Sequence, residues 1–197
     1  MNVNKESLFS LIPEKISNSS NGFPLIIAID GRSASGKTTF AKRFENEKGV
    51  FVIHTDDFYR PKNSSGLLEI SEFDGNFDIK RFKSEVVDNL KKDRFTYGVF
   101  DCSCQKVTET VSVCSPKCII VEGAYSQNPN LTDYANIKVF FDIDEETQKK
   151  RIIVRNGEAG YQKFKNIWIQ AEERYFNHYK IKENTHYIVM EEYDGNF

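Results

Sequence analysis

Apolar residues fall along the chain in two alternating spacings. Residues 24–30, 50–54, 118–121, 137–141 and 187–190 are short, nearly unbroken apolar runs. Strands covered by helices on both faces read this way, because neither face needs polar residues. Between the runs the apolar positions return every three or four residues. Leu8, Leu11, Ile12 and Ile16 predict a helix over 5–16, broken near Pro13. Residues 38–47 predict a second helix, and Ile79, Phe82, Val86 and Leu90 a third over 78–91. Residues 144–155 predict a fourth, with acids at its start and bases at its end, as the helix dipole prefers. Trp168, Ala171, Tyr175 and His178 stand at helical offsets in a fifth, over 164–179. Strands alternating with helices imply an α/β/α three-layer domain around a mainly parallel, five-stranded sheet.

Three segments interrupt that rhythm. Residues 60–76, rich in Pro, Gly, Ser and Asn, predict an irregular loop. Residues 94–113, with Val107, Thr108, Thr110, Val111 and Val113, predict a small β-hairpin insertion. Residues 156–160 punctuate the last two helices within a segment, 151–165, that could form a lid. A length of 197 residues suits one domain, in which 1–22 form an N-terminal helix and loop.

Composition narrows the function. Lys and Arg number 27 and Asp and Glu 29, a net charge of −2. There is no global basic field, so no nucleic-acid partner is expected. No run approaches the roughly 20 apolar residues of a membrane span, so no membrane partner is expected either. The first residues lack the apolar core of a secretory signal, which predicts the cytoplasm. Cys102, Cys104, Cys114 and Cys118 are spaced poorly for zinc and read as ordinary reduced thiols. A homo-oligomer stays open.

The sharpest motif is Gly31-Arg-Ser-Ala-Ser-Gly36-Lys37-Thr38, between a buried strand and a helix. This is the phosphate loop of the P-loop NTPase fold. Gly31 and Gly36 allow the tight turn. Backbone N–H groups over Ser33, Ala34, Ser35, Gly36, Lys37, Thr38 and Thr39 can cradle the phosphates of ATP. Lys37 reaches the β- and γ-phosphates, and Thr38 ligates Mg²⁺.

Two further signals sit at strand ends, where open α/β sheets bind ligands. Asp56 and Asp57 follow the second strand, and either could take a proton from an attacking hydroxyl. A turn or a helix cap would use the same residues. Glu122 ends the third strand and could hold Mg²⁺. Asp142 ends the fourth and is a rival, although Asp142 and Asp144 precede a helix and read as caps. His54 reads as a strand end beside the site. Glu172-Glu173 and Lys91-Lys92 read as solvated faces.

Residues 31–39, His54-Thr-Asp-Asp-Phe-Tyr-Arg60, Asn76-Phe-Asp78, Phe100-Asp101, Val121-Glu-Gly123 and Phe141-Asp-Ile-Asp144 occur in that order. The series resembles the uridine kinase and nicotinamide riboside kinase group of P-loop small-molecule kinases, over residues 25 to about 189. The resemblance implies phosphoryl transfer from ATP to an alcohol of a nucleoside-like or other sugar-like metabolite. It implies that Asp56 activates the acceptor hydroxyl near Mg²⁺, that Tyr59 lines the acceptor pocket and that Asp78 grips ribose hydroxyls. It implies that Glu122 supports Mg²⁺ and that Arg151 and Arg155 form the basic lid over the phosphates. Without it, those arginines read as a solvated helix face.

The chain departs from the group in the hairpin. Uridine kinases read the pyrimidine with a Tyr and a His there. This chain has Phe100-Asp101-Cys102, with Gln105 at the place of the His. Phe100 and Gln105 are thus the candidate base contacts, in an altered pattern. Two other readings compete: a nucleotide-dependent regulatory module, and a nucleoside monophosphate kinase. The first needs a water-positioning residue that no motif marks. The second needs clustered arginines, whereas Arg60, Arg81 and Arg94 are scattered.

Overall fold

The computed structural model describes residues 1–18 and 22–191. In chain order the elements are β1 (Asn2–Val3), α1 (Lys5–Ser17), β2 (Leu25–Gly31), α2 (Lys37–Lys42), β3 (Val50–His54), α3 (Ile79–Glu85), β4 (Arg94–Asp101), β5 (Lys106–Cys114), β6 (Cys118–Glu122), β7 (Ile137–Ile143), α4 (Glu145–Lys163), α5 (Ile169–Tyr179) and β8 (Tyr187–Glu191). All seven residues of β2 are buried. It therefore takes a parallel neighbour on each edge, β6 and β7. The sheet runs β1-β8-β7-β2-β6-β3, every pairing parallel. The sixth strand, β1, pairs Asn2 and Val3 with Ile188 and Val189. Two residues carry no period, which is why the apolar pattern shows only five strands.

Alternate residues of each strand face opposite layers. Ile26, Ile53, Ile119, Val121 and Phe140 pack with Phe58, Phe77, Phe82, Tyr175 and Phe176. Ile27, Ile29, Ile120, Val139 and Phe141 pack with Leu8 and Ile12 of α1 and with Phe40, Ala41 and Phe44. The three expected layers follow.

Helix boundaries differ from the sequence pattern, the fourth running on to Lys163 and the fifth starting at Ile169. Helix α1 does not break at Pro13 but runs on to Ser17. A mid-helix proline costs about 3 kcal/mol. Full burial of Leu8 and Ile12 offsets it, at about 1.5–3 kcal/mol per apolar side chain. Helix α2 stops at Lys42 because Arg43 and Phe44 bond three residues back rather than four. That tighter turn leads toward Gly49. The third helix ends at Glu85 and continues only as a 3₁₀ turn, Val87–Asn89.

The hairpin β4–β5 stands apart from the main sheet, with a bulge between Val99 and Phe100. Within the expected lid, Gly157 adopts φ 72°, ψ 172° and kinks α4. A π-helical turn, Phe164–Trp168, then leads into α5. Among the described residues, no helix is long and apolar enough to cross a membrane.

Candidate active site

The carboxyl ends of β2, β3 and β6 converge on one rim. Gly31 leaves β2 at φ 134°, and a Cβ there would lie 2.0 Å from the Phe141 carbonyl oxygen. Only glycine permits that approach to β7. Ala34 and Gly36 also take positive φ, 63° and 91°, which folds the loop back into α2. Lys37 Nζ donates to the carbonyls of Gly31 and Arg32, at 2.8 Å each. The ammonium is thus parked within the loop.

Two adjoining clefts open here. One, about 380 Å³, is lined by Ala34, Gly36, Lys37, Thr38, Thr39, Arg151 and Arg155, and also by Lys5. The other, about 260 Å³, is lined by Ser33, Lys37, Thr38, Asp56, Tyr59, Glu122, Arg155, Phe164 and Trp168, among others. Ala34, Lys37, Thr38 and Arg155 border both.

Glu122 joins the strand ends to the loop. Its Oε1 accepts from the Thr38 hydroxyl at 2.9 Å and lies 2.6 Å from His54 Nδ1. Burial pushes its carboxyl up, but the His54 bond, the charges of Lys37 and His54 and the Thr38 bond outweigh it and hold the group below its ordinary value. The Glu122 hydrogen bond in turn raises His54. His54 is therefore part of the site, not only a strand end. The rival acid lies elsewhere. Asp142 pairs with Arg32 Nε at 3.0 Å and with Lys182. Of the two expected caps, only Asp144 caps α4, accepting from Thr147 N.

Asp56 and Asp57 sit in a 3₁₀ turn, Thr55–Phe58, directly after β3. Asp56 faces the smaller cleft, and Tyr59 OH donates to its Oδ1 at 2.6 Å. Asp56 is exposed along the cleft, yet desolvation by the protein around its carboxyl raises its pKa. Asp57 does not line either cleft; burial pushes it up to about 6. Arg81 donates to the Asp57 and Gly98 carbonyls and lies 4.6 Å over the Phe58 ring. It ties this turn to α3 and the hairpin.

Three expected acceptor contacts stand outside the lining. Asp78 follows the turn closely, with its N–H on the Phe58 carbonyl at 2.7 Å, but its Oδ1 caps α3 through Arg81 N. Phe100 is buried in β4 beyond the bulge. Gln105 occupies the hairpin tip at φ 59°, its Oε1 accepting from Lys62 N and its Nε2 donating to the Cys102 carbonyl. Its amide pins loop 60–76 to the hairpin.

Of the lid arginines, Arg151 is half-buried and its Nη1 donates to the Ala34 carbonyl at 3.2 Å, whereas Arg155 stays on an exposed face, 5.4 Å over the Phe164 ring. The Glu172-Glu173 pair is not a solvated face. Glu172 is 6% exposed and bonds Ser33, while Glu173 pairs with Arg32. The sequence pattern also passes over Asp30, fully buried beneath the loop. It accepts from Gly31 N, Gln127 N and Tyr175 OH, and burial raises it to about 6. Trp168 stacks parallel to Tyr59, with centroids 6.3 Å apart. The signals available for Phe164 and Trp168 were their four-residue spacing and the rarity of tryptophan, the chain's only one. Lys5 carried none.

Among the described residues, no three His, Cys, Asp or Glu side chains gather as a metal cage. Mg²⁺ is ordinarily held by one or two carboxylates together with substrate phosphates and water. The Thr38–Glu122 pair beside the phosphate loop fits that sparse donor set.

No family model matches the chain. It is 25% identical over 198 residues to a pantothenate kinase of Vibrio vulnificus, covering 89% of this chain and 63% of that protein. It is 34% identical over 140 residues to a uridine kinase of Macrococcus caseolyticus, covering 66% of this chain and 68% of that one. The chain thus spans less than two thirds of the first relative and just over two thirds of the second. Among solved structures, a Bacillus stearothermophilus protein described as a "Possible Uridine Kinase" superposes with a TM-score of 0.68 at 20% identity, covering 91% of this chain and 96% of that one. That likeness bears on the fold, a parallel sheet between helical layers. From the 34% match across two thirds of a uridine kinase, joined to this sheet and its phosphate loop, the chain belongs to the uridine kinase-like family of P-loop kinases.

Proposed function

We propose that the chain transfers the γ-phosphoryl of ATP to a hydroxyl of a small nucleoside-like or sugar-like metabolite. The observation that carries this reading is the shared wall of the two clefts. Lys37 and Thr38 border both the phosphate-loop cleft and the cleft into which Asp56 faces. A donor phosphate and an acceptor hydroxyl can therefore meet across one lysine.

The roles follow from position. The loop amides from Ala34 onward and Lys37 bind the phosphates, exchanging the lysine's bonds to the Gly31 and Arg32 carbonyls for phosphate oxygens; the Ser33 N–H, expected in the cradle, is taken by Glu172. Arg151 and Arg155 border the cleft from the lid side and offset the charge of the transferring group. Asp56 orients the acceptor hydroxyl and takes its proton. Its raised pKa makes it a better base than an aspartate free in water, and Tyr59 OH fixes the carboxyl's rotation. Thr38 and Glu122 would hold Mg²⁺, which when bound neutralises phosphate charge. Closure of the 151–165 lid would exclude water and suppress hydrolysis.

The relatives' names agree on a kinase but differ in acceptor, uridine or pantothenate. Here the Gln105 amide is engaged by Lys62 N and the Cys102 carbonyl, and Phe100 carries no hydroxyl. A site that reads a base needs paired buried polar groups. We therefore expect pyrimidine nucleosides to be weakly discriminated, with Asp78 close enough to the Asp56 turn to meet a vicinal diol. Use of ATP and a small metabolite suits the cytoplasm. The test is ATP consumption screened over nucleosides, pantothenate, sugar acids and polyols. Acceptor-dependent ADP release supports the reading. ATP binding without any acceptor-dependent turnover overturns it, and a kcat/KM for uridine or cytidine far above every other acceptor overturns the expectation about the base.

A further inference from the structure

Ser33, at the apex of the phosphate loop, is held from two helices at once. Its N–H donates to Glu172 Oε2 at 3.0 Å and its hydroxyl to Glu172 Oε1 at 2.5 Å. Its carbonyl accepts from Gln148 Nε2 at 3.0 Å. Glu172 lies in the first turn of α5 and Gln148 in α4. The next residue, Ala34, stands at φ 63°, a conformation that a residue with a Cβ keeps only when its surroundings impose it. A carboxylate in this place calls for a reason. Burying one is unfavourable, and burial does raise the Glu172 pKa, against the charge of Lys37 and the two Ser33 bonds. A buried acid on α5 that closes both oxygens on one loop residue has the geometry of a brace.

We propose that Glu172 is a positioning residue that presets the phosphate loop for the polyphosphate of the nucleotide. Its two bonds to Ser33 hold the loop apex in its left-handed turn before any ligand arrives. The phosphate then meets an ordered cradle and does not have to order one. Without the brace, the loop must adopt that turn at the expense of binding. Glu172 touches neither reacting group in this arrangement and acts through Ser33 and Ala34. The proposal rests on the reading of the site as an ATP site.

The experiment measures direct binding of ATP and of adenosine, with Mg²⁺, to the full chain and to Glu172→Ala and Glu172→Gln. Glu172→Ala should weaken ATP about tenfold or more, the scale of hydrogen bonds to a charged group. Adenosine binding should change less than about twofold, since it makes no demand on the loop. Glu172→Gln keeps an acceptor for Ser33 N–H and should recover most of the ATP affinity. A purely architectural role would weaken ATP and adenosine together, with a lowered melting temperature and no rescue by Gln; that result overturns the proposal, as does unchanged ATP affinity in Glu172→Ala. If Glu172→Ala does not fold, Ser33→Ala removes one of the two bonds without opening a core cavity. It should weaken ATP severalfold relative to adenosine, and an unchanged ratio overturns the proposal. A wild-type chain that binds no ATP removes the ATP reading itself, whereas ATP binding that both variants share unchanged removes only the brace.

Discussion

His54 and Glu122 stand opposite one another in the β3–β6 ladder, and their side chains close to 2.6 Å between Nδ1 and Oε1. The same Oε1 accepts from the Thr38 hydroxyl. A strand pairing thus aims a carboxylate at the phosphate loop and holds it there from two sides. Asp142, one strand beyond β2 on the other edge, is committed to Arg32 and Lys182.

That geometry separates the two strand-end acids by experiment. Glu122→Gln should raise the Mg²⁺ concentration for half-maximal turnover about tenfold or more, the usual loss when a group orienting a metal is neutralised. Asp142→Asn should leave the Mg²⁺ dependence unchanged. A Mg²⁺ titration giving the opposite pair of results would reverse the assignment.

Asp56→Asn should lower kcat by about 100-fold or more, the scale of a general base. ATP binding should survive, because the phosphate-loop contacts remain. Asp57→Asn should have a much smaller effect, since Asp57 lines neither cleft. Steady-state kinetics on the two variants decide between the neighbours; a crippled Asp57→Asn beside an active Asp56→Asn would exchange their roles.

Lys37→Ala should abolish phosphoryl transfer while the circular dichroism spectrum stays native. The side chain bonds two loop carbonyls and borders both clefts, but packs in neither apolar cluster. Normal turnover by a folded Lys37→Ala protein would sink the kinase reading.

Asp30 makes a prediction about pH. Burial lifts its pKa from 3.8 to about 6 in the fold. An acid raised in this way binds its proton more tightly folded than unfolded. Its favourable contribution is therefore present below about pH 4 and is lost as pH rises through about 6. A rise from 3.8 to about 6 corresponds to about 3 kcal/mol. Asp30→Asn cannot titrate, so the stability difference between wild type and variant should shift in the variant's favour by up to that amount between pH 4 and 7. Denaturant melts across that range would show it; a difference independent of pH would mean that Asp30 is not raised.

Much of this molecule is legible in its sequence. The five apolar runs read as strands because helices cover both faces of the sheet, leaving no polar alternation to confuse the pattern. The phosphate loop is legible because its working residues are contiguous and its glycines answer a local demand, such as the 2.0 Å approach of Gly31 to β7. Asp144 as a cap is legible for the same reason, its partner being three residues away. Strand β1 is not, because two residues cannot show a period.

The rest was decided by tertiary packing. His54 reads as a strand end until the β3–β6 register sets it against a glutamate 68 positions away. Glu172 has the local signature of a solvated acid, beside another acid on a polar helix. Only the docking of α5 against a loop 139 residues earlier in the chain buries it and turns it toward Ser33. Gln105 and Asp78 are polar residues that by sequence could each have turned wholly to a ligand. The closing of the hairpin on loop 60–76 engages the Gln105 amide, and the start of α3 takes Oδ1 of Asp78. Local demands on backbone and periodicity are written in neighbouring residues, whereas the partner of a polar side chain depends on which distant segment the core brings alongside it.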